Sequence, residues 1–122
     1  MTDAQFHALF GDALTCSDRD TFISDWTLSS VWGDAPDSDI PADRIDEIGR
    51  IWDVAHMTIR DIRKITGLSQ ARFAERYCIP RRSVENWESE TCDCPAYLRL
   101  LLANVVGAYD RHYEKEDYGK KE

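Results

Sequence analysis

The chain has 122 residues, of which 43% are hydrophobic and 31% charged, and its formal net charge at pH 7 is −8. This length suits one domain with or without a small helical extension, and the apolar content with four Trp can supply a core, which excludes global disorder. No apolar run of about 18 residues occurs and the first residues do not resemble a signal peptide, so no membrane segment and a cytoplasmic location are expected.

The charge is distributed unevenly. Residues 1–57 carry twelve acidic side chains against three arginines, a balance of −9, whereas residues 58–122 have a balance of +1. Residues 60–82 contain seven basic side chains and only two acidic ones, Asp61 and Glu75, which gives a net charge of +5. The net acidity argues against a general nucleic-acid coat, but a local basic segment is the footprint expected of a defined DNA contact.

Helical periodicity begins near the N-terminus. Apolar residues from Phe6 to Leu14 recur at helical spacing and predict a first helix. Ser17 and Asp20 have the spacing of a capping box, and they predict that a second helix runs from there through about Trp32. The N-terminal half is therefore expected to be helical.

A turn-rich linker at residues 33–40 precedes a third predicted helix, in which Pro41 occupies the first turn. The predicted apolar stripe of this helix consists of Ile45, Ile48, Trp52 and Ala55.

Four more helices are predicted in the C-terminal half. Their starts are marked by Thr58, Ser69, Pro80 and Pro95. The first has the apolar residues Ile59, Ile62 and Ile65 and ends at Gly67. The last is predicted to run from Tyr97 to about Tyr109. No strand-like alternation competes, so the sequence predicts an all-α protein.

Residues 67–88 predict two short helices joined by a tight turn. At about 100° per residue, four polar side chains of the second helix share an arc of roughly 140°. Val84 and Trp87 fall on the other side and are predicted to face the core. Arg can bond guanine, Asn can bond adenine, and Glu can accept from cytosine, so the arc suits base readout in the major groove. The four residues of this arc are Arg81, Arg82, Glu85 and Asn86.

The start of the preceding helix predicts a phosphate contact. Ser69 and Gln70 lie at its N-terminus, where unsatisfied backbone N–H groups and the helix dipole favour an anion. A phosphate held there would set the register of the following helix on DNA.

These residues resemble the phage-repressor, Xre-like helix-turn-helix family over roughly residues 58–106. The resemblance rests on Gly67-Leu68-Ser69-Gln70, Phe73-Ala74, Ile79-Pro80, Ser83-Val84-Glu85-Asn86-Trp87-Glu88 and Pro95. It implies a lambda-repressor-like helical bundle that regulates transcription and needs no cofactor. Double-stranded DNA is the implied partner, bound by a homodimer at half-sites about one helical turn apart.

The resemblance also implies roles for particular residues. Gln70 corresponds to the family's phosphate contact, and the arc from Arg81 to Asn86 corresponds to its base contacts. A partly buried structural pair between the first and third helices of the motif corresponds to Arg63 and Glu88.

Two positions depart from the family. The turn between the helices has Cys78 where Gly is usual, which predicts strain or a different turn. The loop at 89–94 is acidic where a basic loop is common, which predicts a weaker phosphate clamp.

The predicted organisation has three parts. Residues 1–57 form an acidic helical N-terminal extension, residues 58–108 form the helix-turn-helix DNA-binding domain, and residues 109–122 form a charged C-terminal tail. The extension is expected to pack on the domain or on a second chain, since about 55 residues bury little surface alone.

Other interpretations are also open. The motif can be a helical scaffold without DNA binding, and the acidic half can make the protein an interaction module, such as an antitoxin or an inhibitor of a phage or host factor. Trp26, Trp32 and Trp52 are candidate anchors whether the acidic half packs on the domain or on a second chain. A metal site and catalysis are disfavoured, because Cys92 and Cys94 are too close for common zinc pairs and no activated nucleophile or Gly-rich phosphate loop occurs. Cys16, His56 and His112 are the other residues that a metal site could use.

Overall fold

The computed structural model describes residues 1–111, and this part of the chain forms seven α-helices and no strand, which confirms the all-α prediction for it. Most of the predicted tail at 109–122, including His112, lies outside the described residues. The elements are α1 (Asp3–Thr15), α2 (Arg19–Thr27), a 3₁₀ turn (Ser30–Trp32), α3 (Ala42–Ala55), α4 (Ile59–Thr66), α5 (Gln70–Arg76), α6 (Arg81–Glu88) and α7 (Ala96–Val105).

Local capping determines most helix starts. The capping box of Thr58 and Asp61 opens α4 as predicted, and Gly67 ends it in the left-handed conformation at φ 73°. The Oγ of Ser69 accepts a hydrogen bond from the N–H of Arg72 at 3.2 Å, so Ser69 caps α5. The prolines at positions 41, 80 and 95 immediately precede α3, α6 and α7.

The prediction for α2 was wrong at both ends. Its N-cap is Asp18 and not Ser17, because the Asp18 carboxylate accepts from the N–H of Asp20 at 3.1 Å. The helix ends at Thr27, and the chain resumes as a 3₁₀ turn in which the Ser29 hydroxyl accepts from the backbone. Serine side chains that bond the backbone in this way compete with helix continuation.

One hydrophobic core extends through the described chain, with α3 in contact with α1, α2 and α7. The N-terminal segment therefore packs against the rest of the same chain. The largest fully buried side chains are Leu9, Phe22, Ile48, Ile51, Val54, Ile62, Phe73 and Val84.

Several predicted core positions are instead exposed. Ile45 on α3 and Ile65 on α4 have exposures of 48% and 53%, because each lies on a side of its helix that does not meet a neighbouring helix. The final helix ends at Val105 and not near Tyr109, and Gly107 follows in a left-handed conformation at φ 83°.

Hydrogen bonds from three tryptophan side chains join parts of the N-terminal half to one another. The indole N–H of Trp52 donates to the Cys16 carbonyl at 2.9 Å, and that of Trp26 donates to the Asp12 carboxylate at 2.8 Å. The indole N–H of Trp32 donates to the carbonyl of Trp26 at 2.6 Å. These three anchors thus act within the chain. Across residues 1–111, no helix has the length and apolar character required to cross a bilayer.

Candidate nucleic-acid interface

A four-residue turn at 77–80 joins α5 to α6. Cys78 has φ 55°, so the turn adopts the left-handed conformation that glycine tolerates best. The N–H of Ile79 donates to the Ala74 carbonyl at 2.9 Å and closes the end of α5. Phe73 is fully buried, and its ring meets that of Tyr77 edge-on at 5.1 Å. Packing beneath the turn therefore holds Cys78 in its strained conformation.

The polar arc predicted on α6 is present, with one difference. Arg81, Arg82 and Glu85 are exposed, whereas Asn86 is half-buried. Val84 on the opposite side is fully buried, so the rotation of α6 is fixed by the core. The Nε of Arg81 lies 3.0 Å from Oε1 of Glu85, an ion pair between residues four apart on the helix surface.

The two residues predicted at the start of α5 differ in accessibility. Ser69 is exposed, and its hydroxyl caps the helix. Gln70 is half-buried, and its side chain lies near enough to Glu88 to help lower the pKa of that carboxyl. The side chain of Gln70 is therefore close to the buried carboxylate of Glu88, which the sequence did not indicate.

Glu88 is the centre of a buried cluster between α4 and α6. Its carboxylate is 1% exposed and accepts hydrogen bonds from Arg63 Nε at 2.7 Å and Arg63 Nη2 at 2.8 Å. These bonds lower the pKa of Glu88, against the opposing effect of burial, and contacts with Gln70 and Arg60 add to the shift. The predicted pair of Arg63 and Glu88 is thus formed.

Arg60 was missing from the sequence-derived cluster. Its Nε lies 3.4 Å from Oε1 of Glu88, while more than half of its side chain stays exposed. Its position three residues before Arg63 on α4 could have revealed it, because residues three apart lie on the same face of a helix. Arg60 therefore contacts the carboxylate of the buried pair while most of its own side chain faces solvent.

The loop after α6 is acidic and tightly turned. Glu90 is exposed with φ 64°, and the N–H groups of Thr91 and Cys92 donate to the Asn86 carbonyl at 2.9 and 3.2 Å. Burial raises the pKa of the Cys94 thiol at the end of the loop. The loop thus places negative charge beside the C-terminal end of α6.

An open groove of about 570 Å³ lies between this loop and the turn from α3 to α4. Its lining includes His56, Cys92, Cys94 and Arg99. All four cysteines of the chain are free thiols. Among residues 1–111, no group of three or more His, Cys, Asp or Glu side chains is placed to hold a metal ion.

The exposed cations of this region lie on three consecutive helices, and they either precede the α6 arc in sequence or belong to it. Each of the three helices therefore carries exposed positive charge, whereas Arg63 is paired with Glu88. These exposed cations are Arg60, Lys64, Arg72, Arg76, Arg81 and Arg82. Comparison of the chain with protein-family models, with curated proteins and with solved structures gave no match.

Proposed function

We propose that the protein is a sequence-specific DNA-binding transcriptional regulator of the phage-repressor helix-turn-helix type, acting as a dimer. The observation that carries the proposal is the two-sided construction of α6. One side is locked by the buried Val84 and by the bond between Glu88 and Arg63, and the other exposes Arg81, Arg82 and Glu85. A rigid helix with an exposed polar side is what readout of base edges requires.

The arc has the chemistry for a short base sequence. Arg81 and Arg82 can each bond O6 and N7 of guanine, and Asn86 can bond adenine where its amide reaches the groove. Glu85 has a second carboxylate oxygen besides the one near Arg81, and this oxygen can accept from cytosine N4. Each good bidentate contact contributes about 1–3 kcal/mol of discrimination against a wrong base.

The surrounding cations supply the contacts with phosphate. Arg60, Lys64 and Arg72 are exposed on the two helices that precede α6. Ser69 and Gln70 are the proposed contacts with the DNA phosphate backbone at the start of α5, and the side chain of Gln70 would have to turn from Glu88 toward the phosphate. A protein with net charge −8 is repelled by DNA elsewhere, so only this basic face is expected to approach it.

The test is selection from a randomised duplex pool, followed by fluorescence-anisotropy titration of the enriched site at two salt concentrations. We expect the selection to enrich a palindrome with two half-sites, and we expect the affinity of the protein for this site to fall as the salt concentration rises. Absence of enrichment, with no binding at low salt, would overturn it.

Two variants that each remove one positive charge separate readout from general electrostatics. Arg82→Ala should flatten the base preference at one position of each half-site and weaken binding about tenfold or more. Arg50→Ala is the matched control, because Arg50 is exposed on α3 in the acidic half. Equal losses for the two variants would contradict the assigned readout.

The second candidate function is a protein-interaction module, such as an antitoxin or an inhibitor of a phage or host factor. Its support is the −9 balance of residues 1–57 together with exposed apolar side chains there, Leu28 and Ile45 among them. These features suit a basic partner with apolar side chains. The two functions are compatible.

Deleting the acidic half would not test this candidate, because Phe22 and Ile48 belong to the shared core. Charge reversal on the exposed linker leaves the core intact. A pull-down with Asp37→Lys/Asp39→Lys should lose the partner that the unmodified chain recovers. Undiminished recovery would remove the linker from the interaction.

A further inference from the structure

Sulfur-containing residues collect on the groove between the loop after α6 and the turn from α3 to α4. The chain has six residues that contain sulfur, four Cys and two Met. Three of the six, Met57, Cys92 and Cys94, line this one groove. The base readout proposed for α6 makes no use of them. The groove thus concentrates soft donor atoms, which bind soft metal ions in preference to hard ones.

The two cysteines are fixed at opposite ends of a short backbone segment. The N–H of Cys92 donates to the Asn86 carbonyl at 3.2 Å, which ties this residue to the last turn of α6. Cys94 directly precedes Pro95, the N-cap of α7, and its thiol lies 3.7 Å from the Pro95 carbonyl. Because a single residue separates the two cysteines, their Cα atoms can be no more than about 7 Å apart. Two thiols at this spacing on one groove can reach a common ion.

Both thiols are available for binding. They are free, Cys92 is exposed, and Cys94 is half-buried beside the groove. Burial raises the pKa of the Cys94 thiol, so its sulfur keeps the proton at neutral pH until a metal displaces it. An ion that enters the groove therefore meets the exposed Cys92 first and then reaches the less accessible Cys94.

The number of donors determines which ion suits the groove. His56 also lines it, but its Nε2 lies 2.7 Å from the Ala13 carbonyl and its ring stacks on that of Trp52 at 4.0 Å. Among residues 1–111, no three His, Cys, Asp or Glu side chains are placed around one ion. A zinc site, which takes three or four such ligands, is therefore not formed, whereas monovalent copper is soft and accepts two thiolates alone.

We propose that Cys92 and Cys94 bind one Cu⁺ ion per chain as a pair of thiolates in this groove. Two S–Cu bonds form, both thiol protons are released to solvent, and copper stays monovalent, so no oxidant or reductant is needed. One positive charge arrives while two protons leave, so the local charge falls by one. The loop already carries Glu90 and Asp93, and the bound ion makes it more negative.

The site is argued from the groove alone, but its effect on DNA rests on the proposed function. The loop follows α6 directly, so the added negative charge lies near the helix proposed to read bases. A unit charge about 10 Å from a phosphate in water changes binding about twofold for each copy, so Cu⁺ should weaken DNA binding by a dimer about fourfold at low salt.

Anaerobic titration of the reduced chain with Cu⁺, in competition with a colorimetric Cu⁺ chelator, tests the proposal. We expect one Cu⁺ per chain. Cys92→Ser and Cys94→Ser should each raise the dissociation constant at least about tenfold, because each removes a ligand and even an outer-shell partner contributes that much. Cys78→Ser is the matched control, since it removes an exposed free thiol that does not line the groove. It should bind Cu⁺ like the unmodified chain, and circular dichroism should show all four proteins folded.

X-ray absorption at the copper edge checks the ligands, and it should show two bonds to sulfur and none to nitrogen. Equal affinities of Cys92→Ser and Cys78→Ser for Cu⁺ would overturn the proposal. Half an equivalent of Cu⁺ per chain would also overturn it, since the ion would then be shared between two copies. A chain that binds Cu⁺ at these cysteines but binds no DNA leaves this inference standing and overturns the proposed function.

Discussion

Arg63 and Glu88 form a bidentate ion pair across 25 residues of sequence, with N–O distances of 2.7 and 2.8 Å. Arg63 also donates from Nη1 to the Leu68 carbonyl at 3.0 Å. One guanidinium therefore joins α4, the turn after it and the last residue of α6. Because Glu88 is the last residue of α6, the pair fixes the direction in which that helix presents its polar arc.

Replacing Glu88 by Gln should destabilise the fold and reduce its acid sensitivity. The folded-state pKa of Glu88 is lowered, mainly by Arg63, so the stabilisation is complete above the ordinary glutamate pKa of about 4.3 and is lost as the pH falls through the lower folded value. Urea unfolding at pH 7 should show a loss of about 2–3 kcal/mol, since the bonds are to charged groups. The gap between the two proteins should narrow toward pH 3.

Glu85→Gln provides the comparison for this effect. Glu85 is exposed and pairs with Arg81 on the helix surface, so its loss should cost no more than about 0.5 kcal/mol. A stability gap between Glu88→Gln and the unmodified chain that is the same at pH 7 and pH 3 would contradict the assigned role of the carboxylate.

Cys78→Gly should stabilise the protein by about 0.5–1 kcal/mol. At φ 55° a residue with a Cβ is strained, and glycine removes the strain at some cost in unfolded-state entropy. Cys78→Ala keeps the Cβ and removes an exposed thiol, so its midpoint in chemical denaturation should stay close to that of the unmodified chain. Equal midpoints for Gly and Ala would show that the turn carries no strain.

Gly49 and Arg19 should be energetically coupled. A Cβ at Gly49 would lie 2.5 Å from the Arg19 Nη2, so Gly49→Ala must displace the guanidinium that bonds Asp53. Gly→Ala within a helix gains about 1 kcal/mol, and the displaced surface pair offsets most of that gain. Alone, Gly49→Ala should therefore change stability little.

In the Arg19→Ala background the guanidinium no longer lies beside position 49, so Gly49→Ala should stabilise the protein by about 1 kcal/mol. A double-mutant cycle by thermal denaturation measures the difference. Additive effects of the two substitutions would mean that Arg19 does not restrict this position.

Arg99→Met should cost about 1–3 kcal/mol, because the carbonyls of Ala55 and Met57 lose their donor while the aliphatic part of the side chain is retained. Arg72→Met removes the same charge from an exposed position on α5 and should change stability by less than about 0.5 kcal/mol. Chemical denaturation of the two variants measures their free energies of unfolding. Equal losses of stability for the two variants would contradict the bridging role of Arg99.

The sequence alone determined the features that depend on neighbours within about four residues. The capping box at Thr58, the ending at Gly67 and the turn at Cys78 are all where they were predicted. The buried side of α6 at Val84 was also predicted, because helical periodicity gives its direction. The exceptions were α2, where Asp18 and Ser29 offered the backbone competing side-chain bonds, and α7, which ends at Val105 rather than near Tyr109.

Only the tertiary structure decided which apolar side chains are covered and which polar groups are already bonded. Ile65 and Leu101 have the spacing of core residues but remain exposed, while Gln70 turns toward Glu88 and Arg99 toward the end of α3. The physical reason is that helix formation depends on local hydrogen bonds, whereas burial depends on which helices meet. That choice is made by residues far apart in the chain.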